Sequence, residues 1–314
     1  MGATVYGVCW PATQMLSNPM TQAPPSSAVA TVIVVAIGIL WGFYWMPVRY
    51  LQDAGLPGAW GTFGIALAAT FVLGISVLIA RPNVPRDWPT YGALALGGAA
   101  FAMYSVGFAY GRVAIVILLF FLTPVWSTLI ARFILGRTTS VTRLAAIVIG
   151  LLGLFVMLGA DGGVPLPRSI GDWLALASGI CWSLSSTIIH EREPIKPLLA
   201  AFAFASGAAV LSGVCILALP TQPLNLNVLT PPTLLITAVT GTLWWGVSMA
   251  GLMWATALLD PARVGILLMS EVLIGALSAA FLVGEPLLPF ELIGGALVLS
   301  AAILEVWPTK AKQP

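Results

Sequence analysis

The chain has 314 residues, of which 59% are hydrophobic and 8% charged, with a formal net charge of +2. Ordinary soluble domains carry roughly 25% charged residues, so a fold kept in solution by its own polar surface is excluded, and the small net charge gives no basic field for nucleic acid. A mean hydropathy of +1.01 points to a chain solvated by lipid.

Residues 1–28 carry four prolines, no charge and no helical period, and are expected to form a disordered tail. No basic segment precedes their apolar residues, so they do not read as a signal peptide. Met20, followed by T-Q-A-P-P-S-S, is an expected alternative start. Apolar stretches then follow at 29–51, 58–80, 89–110, 113–135, 141–160, 172–190, 197–219, 232–258, 262–283 and 288–307. Each is close to the roughly 20 residues that cross a hydrocarbon core as a helix. Backbone polar groups in lipid must be satisfied within their own segment, which selects helices here over barrel strands. The longest connections, around Asp161–Gly171 and Pro220–Pro232, are Pro- or Gly-rich turns without room for a soluble domain.

With ten spans, ten basic residues fall on the side of both termini: Arg81, Arg86, Arg132, Arg137, Arg143, Arg192, Lys196, Arg263, Lys310 and Lys312. Only Arg49, Arg112 and Arg168 fall on the other. The excess predicts cytoplasmic termini.

A short motif recurs. Residues 38–41 read Gly-Ile-Leu-Trp at the first span, residues 179–182 read Gly-Ile-Cys-Trp at the sixth, and Arg49 and His190 each follow the Trp by eight positions. Five spans separate the copies, and an odd number inverts the second. The expected architecture is an all-α integral membrane protein of ten transmembrane helices in two inverted five-helix repeats. The repeats occupy 29–160 and 172–307, joined by a linker at 161–171 and followed by a tail at 308–314.

Glu271 falls midway along the ninth span, where a carboxylate costs on the order of 2.5–3.5 kcal/mol. It is the strongest candidate for holding a proton or a substrate ammonium, weighed against a structural tie between helices. Pro47 and Pro124 lack an N–H and crowd the carbonyls four residues earlier, at Phe43 and Phe120. Each is expected to kink its span and to act as a cavity wall or hinge. Trp41 and Trp45 are one turn apart and predicted to share a face. With Tyr44 and Trp182 they are the expected aromatic substrate contacts. Arg49 and His190 are secondary candidates at the two mouths, His190 as a coupling group. Small residues seven apart, Ala146 with Gly153 and Gly294 with Ala301, mark faces for close packing of spans five and ten, with each other or across a homodimer. Cys9, Cys181 and Cys215 are widely spaced and read as core filler, with no metal site and no cofactor expected.

The segment L-W-G-F-Y-W-M-P-V-R-Y in the first span, the block F-L-T-P-V-W-S-T-L-I-A-R-F-I-L-G-R at 121–137 and the block M-S-E-V-L-I-G-A-L-S-A-A-F-L-V-G-E at 269–285 together resemble the drug/metabolite transporter superfamily, in particular its EamA-domain exporters. The resemblance covers nearly all of residues 29–307. It implies a basket of inverted repeats around a central cavity and export of small metabolites such as amino acids, as in bacterial inner-membrane exporters. Two positions depart from the family pattern. Arg137 stands where an acid is usual, although Glu285 keeps it in the second half, and Glu271 stands where proline is frequent, although Pro124 keeps it in the first half.

The expected function is therefore that of a secondary transporter in the inner (plasma) membrane, exporting amino acids or similar amphipathic metabolites by alternating access, with protons as a possible partner. Export of drugs or other metabolites is the alternative. An intramembrane enzyme is remote: His190 is the only histidine, Ser186 one turn before it lacks a third orienting group, and no Walker A sequence is present.

Overall fold

The computed structural model describes residues 25–134, 136, 141–159, 166–193, 195–256, 258–259, 261–284 and 287–306. The expected tails (up to residue 24 and from 307), the Met20 start, Cys9, Arg137, the first five residues of the linker (161–165) and Glu285 lie outside them. Described regular structure is helical throughout, without a strand. Among the described residues seven helical segments are long and apolar enough to span a membrane, and three shorter apolar helices run over Leu144–Leu158, Leu267–Val283 and Pro289–Leu304. All the apolar stretches read from the sequence fall on these helices.

The first span consists of α1 (Pro25–Gly42) and α2 (Trp45–Asp53), meeting at a turn at Phe43–Tyr44. Then come α3 (Trp60–Ala80), α4 (Trp88–Tyr110), α5 (Val113–Phe120), α6 (Thr123–Phe133), α7 (Val141–Leu158), α8 (Ile170–His190) and α9 (Pro197–Ala218). The last are α10 (Pro231–Thr240), a π-helical stretch Gly241–Val247 leading into α11 (Ser248–Thr256), α12 (Pro261–Ser278) and α13 (Pro289–Val306).

Both helix breaks sit where a proline ring meets the carbonyl four residues back. At the first, the Phe43 carbonyl expected to be freed by Pro47 instead accepts the Met46 N–H at 3.0 Å. A tight turn absorbs the lost bond, so that carbonyl offers nothing to a ligand. At the second, the Phe120 carbonyl faces Gly179 of α8, where a Cβ would come within 3.1 Å of it.

α4 is central, two-thirds buried, and packs against α8 and α9; α3 packs on α9, α1 on α12, and α7 on α13. The last contact decides what the small-residue faces of spans five and ten do. Gly153 and Gly294 approach each other's backbone so closely that a Cβ on either would lie 2.6–2.7 Å from the other's carbonyl oxygen, and Ala146 and Ala301 are buried. The two spans pair with each other within one chain. The outer surface carries large apolar groups such as Leu217, 89% exposed, and Phe281, 82% exposed, which suit acyl chains and not water.

Candidate functional site

A cavity of about 260 Å³ opens where α1, α4, the α5–α6 break, α8, α11 and α12 converge. Its charged lining residue is Glu271, 5% exposed, whose Oε1 accepts the phenol O–H of Tyr104 at 3.2 Å. α4 supplies both Tyr104 and, one residue short of a turn earlier, Phe101. The Phe101 ring stands edge-on to Trp41 at 4.8 Å and to Trp182 at 5.0 Å. The two tryptophans of the repeated motif therefore meet on one phenylalanine, and both line the cavity. Trp41 is held by its indole N–H, which donates to Ser248 Oγ at 3.0 Å. The π-helical stretch before Ser248 adds a second tie, as the Trp244 N–H donates to the Leu40 carbonyl at 2.8 Å beside the first helix break. Such π segments often mark functional positions.

Of the five residues expected to contact substrate, the fold brings Trp41, Trp182 and Glu271 to the cavity and leaves Tyr44 and Trp45 away from it. The helix breaks at Phe43–Tyr44, between Trp41, which lines the cavity, and Trp45, which does not. Trp45 donates to Ser278 Oγ at 2.9 Å, and Tyr44, fully buried, shares a hydrogen bond with Ser105 at 2.8 Å. Both are packing residues of the α1–α2 junction. Pro124 lines the cavity, whereas Pro47 does not.

Arg49 and His190 lie at opposite ends of α4. A hollow of about 200 Å³ shares Trp182, Ser186 and Met249 with the central cavity and continues to the exposed His190, near Leu94. The Ser186 hydroxyl donates to the Ser183 carbonyl of its own helix at 3.1 Å. At the other end Arg49 donates to the Gly111 carbonyl at 2.8 Å and lines a polar hollow of about 420 Å³. There Arg112 grips both carboxylate oxygens of Glu291, one at 3.1 Å and the other closer still, while Glu291 also accepts the Leu288 N–H. This pair joins the start of α5 to the start of α13. Asp172 nearby closes a capping box with Ser169 at the start of α8.

Phe101 escapes sequence reasoning because α4 is apolar on every side and no period marks one face. Among the described residues no group of three or more His, Cys, Asp or Glu side chains is placed to hold a metal, and Cys181 and Cys215 form no disulfide with each other.

A family profile described as EamA-like transporter family matches residues 28–159. One solved crystal structure of a protein aligns over 89% of this chain and 98% of its own with a TM-score of 0.56 at 19% identity, a likeness of fold. No curated protein matches the chain.

Proposed function

From the premise that the chain belongs, through residues 28–159, to the EamA-like transporter family, we propose that this membrane transporter is a secondary carrier exporting amino acids or similar small amphipathic metabolites by alternating access. The observation that carries the reading is Glu271, one buried acid in a cavity otherwise walled by rings, aliphatic chains and hydroxyls. A carboxylate held in lipid at this cost is retained for function or for a tie between helices, and Tyr104 occupies only one of its oxygens in the described contacts. The acid attracts an ammonium, and Trp41, Trp182 and Phe101 shield an apolar side chain and add cation–π attraction.

In this reading the three shorter apolar helices complete ten spans, arranged as inverted repeats over 29–160 and 172–307. Packing supports the pairing: Gly38 sits against Ser270 of α12, and Gly179, its counterpart, sits against Phe120. The excess of basic residues at one end supports cytoplasmic termini in a bacterial inner membrane. The hollow leading to His190 then faces the cytoplasm, as loading for export requires, while the Arg112–Glu291 pair closes the outer end.

Counterflow of a labelled amino-acid panel into proteoliposomes tests this. Saturable exchange is expected, strongest for aromatic and branched side chains. Exchange of a dianionic sugar-nucleotide with none of amino acids overturns the reading, and exchange confined to lipophilic drugs moves it to a drug exporter.

Glu291→Gln tests the outer closure. Arg112 is 40% exposed, so the lost pair costs only about 1–2 kcal/mol after solvent screening. Labelling of a cysteine placed at Ile115, which lines that hollow, by a water-soluble maleimide should rise several-fold in a background lacking the native cysteines. Unchanged labelling rules out a closing function for the pair.

A further inference from the structure

Three hydrogen-bond donors of the central cavity donate to no protein atom among the described residues: the indole N–H of Trp182 and the hydroxyls of Thr123 and Ser127. All three side chains are only partly buried, so they reach the cavity space. Several helical serines and threonines donate to the carbonyl one turn back, as Thr70 does to Ala66 at 2.8 Å and Ser212 to Ala208 at 2.7 Å. Ser127 does not. The carbonyl one turn before it, that of Thr123, accepts the Ser183 hydroxyl from α8 at 2.9 Å, a proton Ser183 shares with the Gly179 carbonyl at 2.8 Å. Trp182, adjacent to Ser183, lines the same cavity as Thr123 and Ser127, which lie one turn apart on α6. Trp41, the counterpart of Trp182 in the repeated motif, has its N–H committed to Ser248. The two tryptophans thus share a ring contact with Phe101 and differ in the one polar atom each carries.

We infer that Trp182, Thr123 and Ser127 form a cradle for a carboxylate of the substrate, and that the transported species is a zwitterion whose ammonium meets Glu271. The inference rests on the carrier reading above and extends it by assigning the acid end of the substrate. Among the described residues no basic side chain lines the cavity, so a bare anion finds no counter-ion there, whereas a zwitterion brings its own positive charge to the acid and needs only neutral donors at its other end. Neutral donors in a site screened from water hold a charged acceptor well. A compound lacking that acceptor leaves them unpaired and is rejected on that ground.

The test is competition between an aromatic amino acid and the amine left when its carboxyl group is removed, in counterflow with wild type, Trp182→Phe and Ser127→Ala. Wild type should prefer the amino acid by about a hundredfold or more, and each variant should narrow that preference by about tenfold or more, the loss expected for one hydrogen bond to a charged group. A ratio of two compounds in one preparation is independent of how much protein is folded. An unchanged ratio in both variants, or a wild type without preference for the acid, overturns the cradle and leaves the carrier standing. Exchange of neither compound by wild type overturns the carrier reading itself.

Discussion

Glu271→Gln is expected to lower exchange of ammonium-bearing substrates by about 100-fold, because a charged acceptor contributes about 1.5–3 kcal/mol to a bond with an ammonium and each 1.4 kcal/mol is tenfold. Glutamine keeps the volume of the side chain, and its amide oxygen can still accept the Tyr104 hydroxyl, now 3.2 Å from Oε1. The helix packing around it is therefore expected to survive, and the variant should elute and melt like wild type. Glu271 is the titratable group lining the central cavity, so whatever pH dependence wild-type counterflow shows near neutrality should disappear in the variant. A variant that retains the wild-type pH profile rules out a proton-carrying function, and one that also retains wild-type exchange reduces Glu271 to a tie between α12 and α4.

The largest effects on stability are expected at Gly98 of α4 and Gly207 of α9. A Cβ on Gly98 would lie 1.7 Å from the Phe204 carbonyl oxygen, and one on Gly207 would lie 2.0 Å from that of Ala95. Both obstacles are backbone, which cannot rotate aside, so alanine at either site must push the two helices apart. That separation also opens the contact of Phe101 with Phe204, whose rings are 5.4 Å apart, and so loosens the support of Trp182. Overpacking of this kind costs about 1–3 kcal/mol, with the upper end expected where backbone must move. Thermal unfolding in detergent should show a midpoint lower by several degrees for Gly98→Ala and for Gly207→Ala. Gly92→Ala, on the same α4 but with nothing within 4 Å of its Cβ, should melt no lower than wild type. Equal midpoints for all three would mean that the α4–α9 contact is looser than described.

The lipid solvent makes much of the chain readable. Each crossing demands a long apolar run, so the spans stand out from residue types alone, and a proline inside such a run announces its break within a few positions. Glu271 stands out because a carboxylate is costly wherever lipid surrounds it. The Trp41 and Trp182 copies stand out because a repeat assigns weight to positions that a single helix does not. Tyr44 and Trp45 fall away from the cavity for the complementary reason. Their expected face presumes a continuous helix through residue 45, and the helix is interrupted by a turn at Phe43–Tyr44.

Length, composition and pattern thus determine that this is a helical membrane protein, where its helices lie, and that one acid sits midway along a span. Only the tertiary structure decides which side of each helix faces inward, because helices apolar all round carry no moment to set their rotation. Partners distant in the chain settle it instead: Phe101 between two tryptophans, Ser248 under Trp41, Glu291 against Arg112, 179 residues away. The same holds for the donors of Trp182, Thr123 and Ser127, since a hydroxyl in a membrane helix can bond its own backbone or another group, and only the packed helices show which.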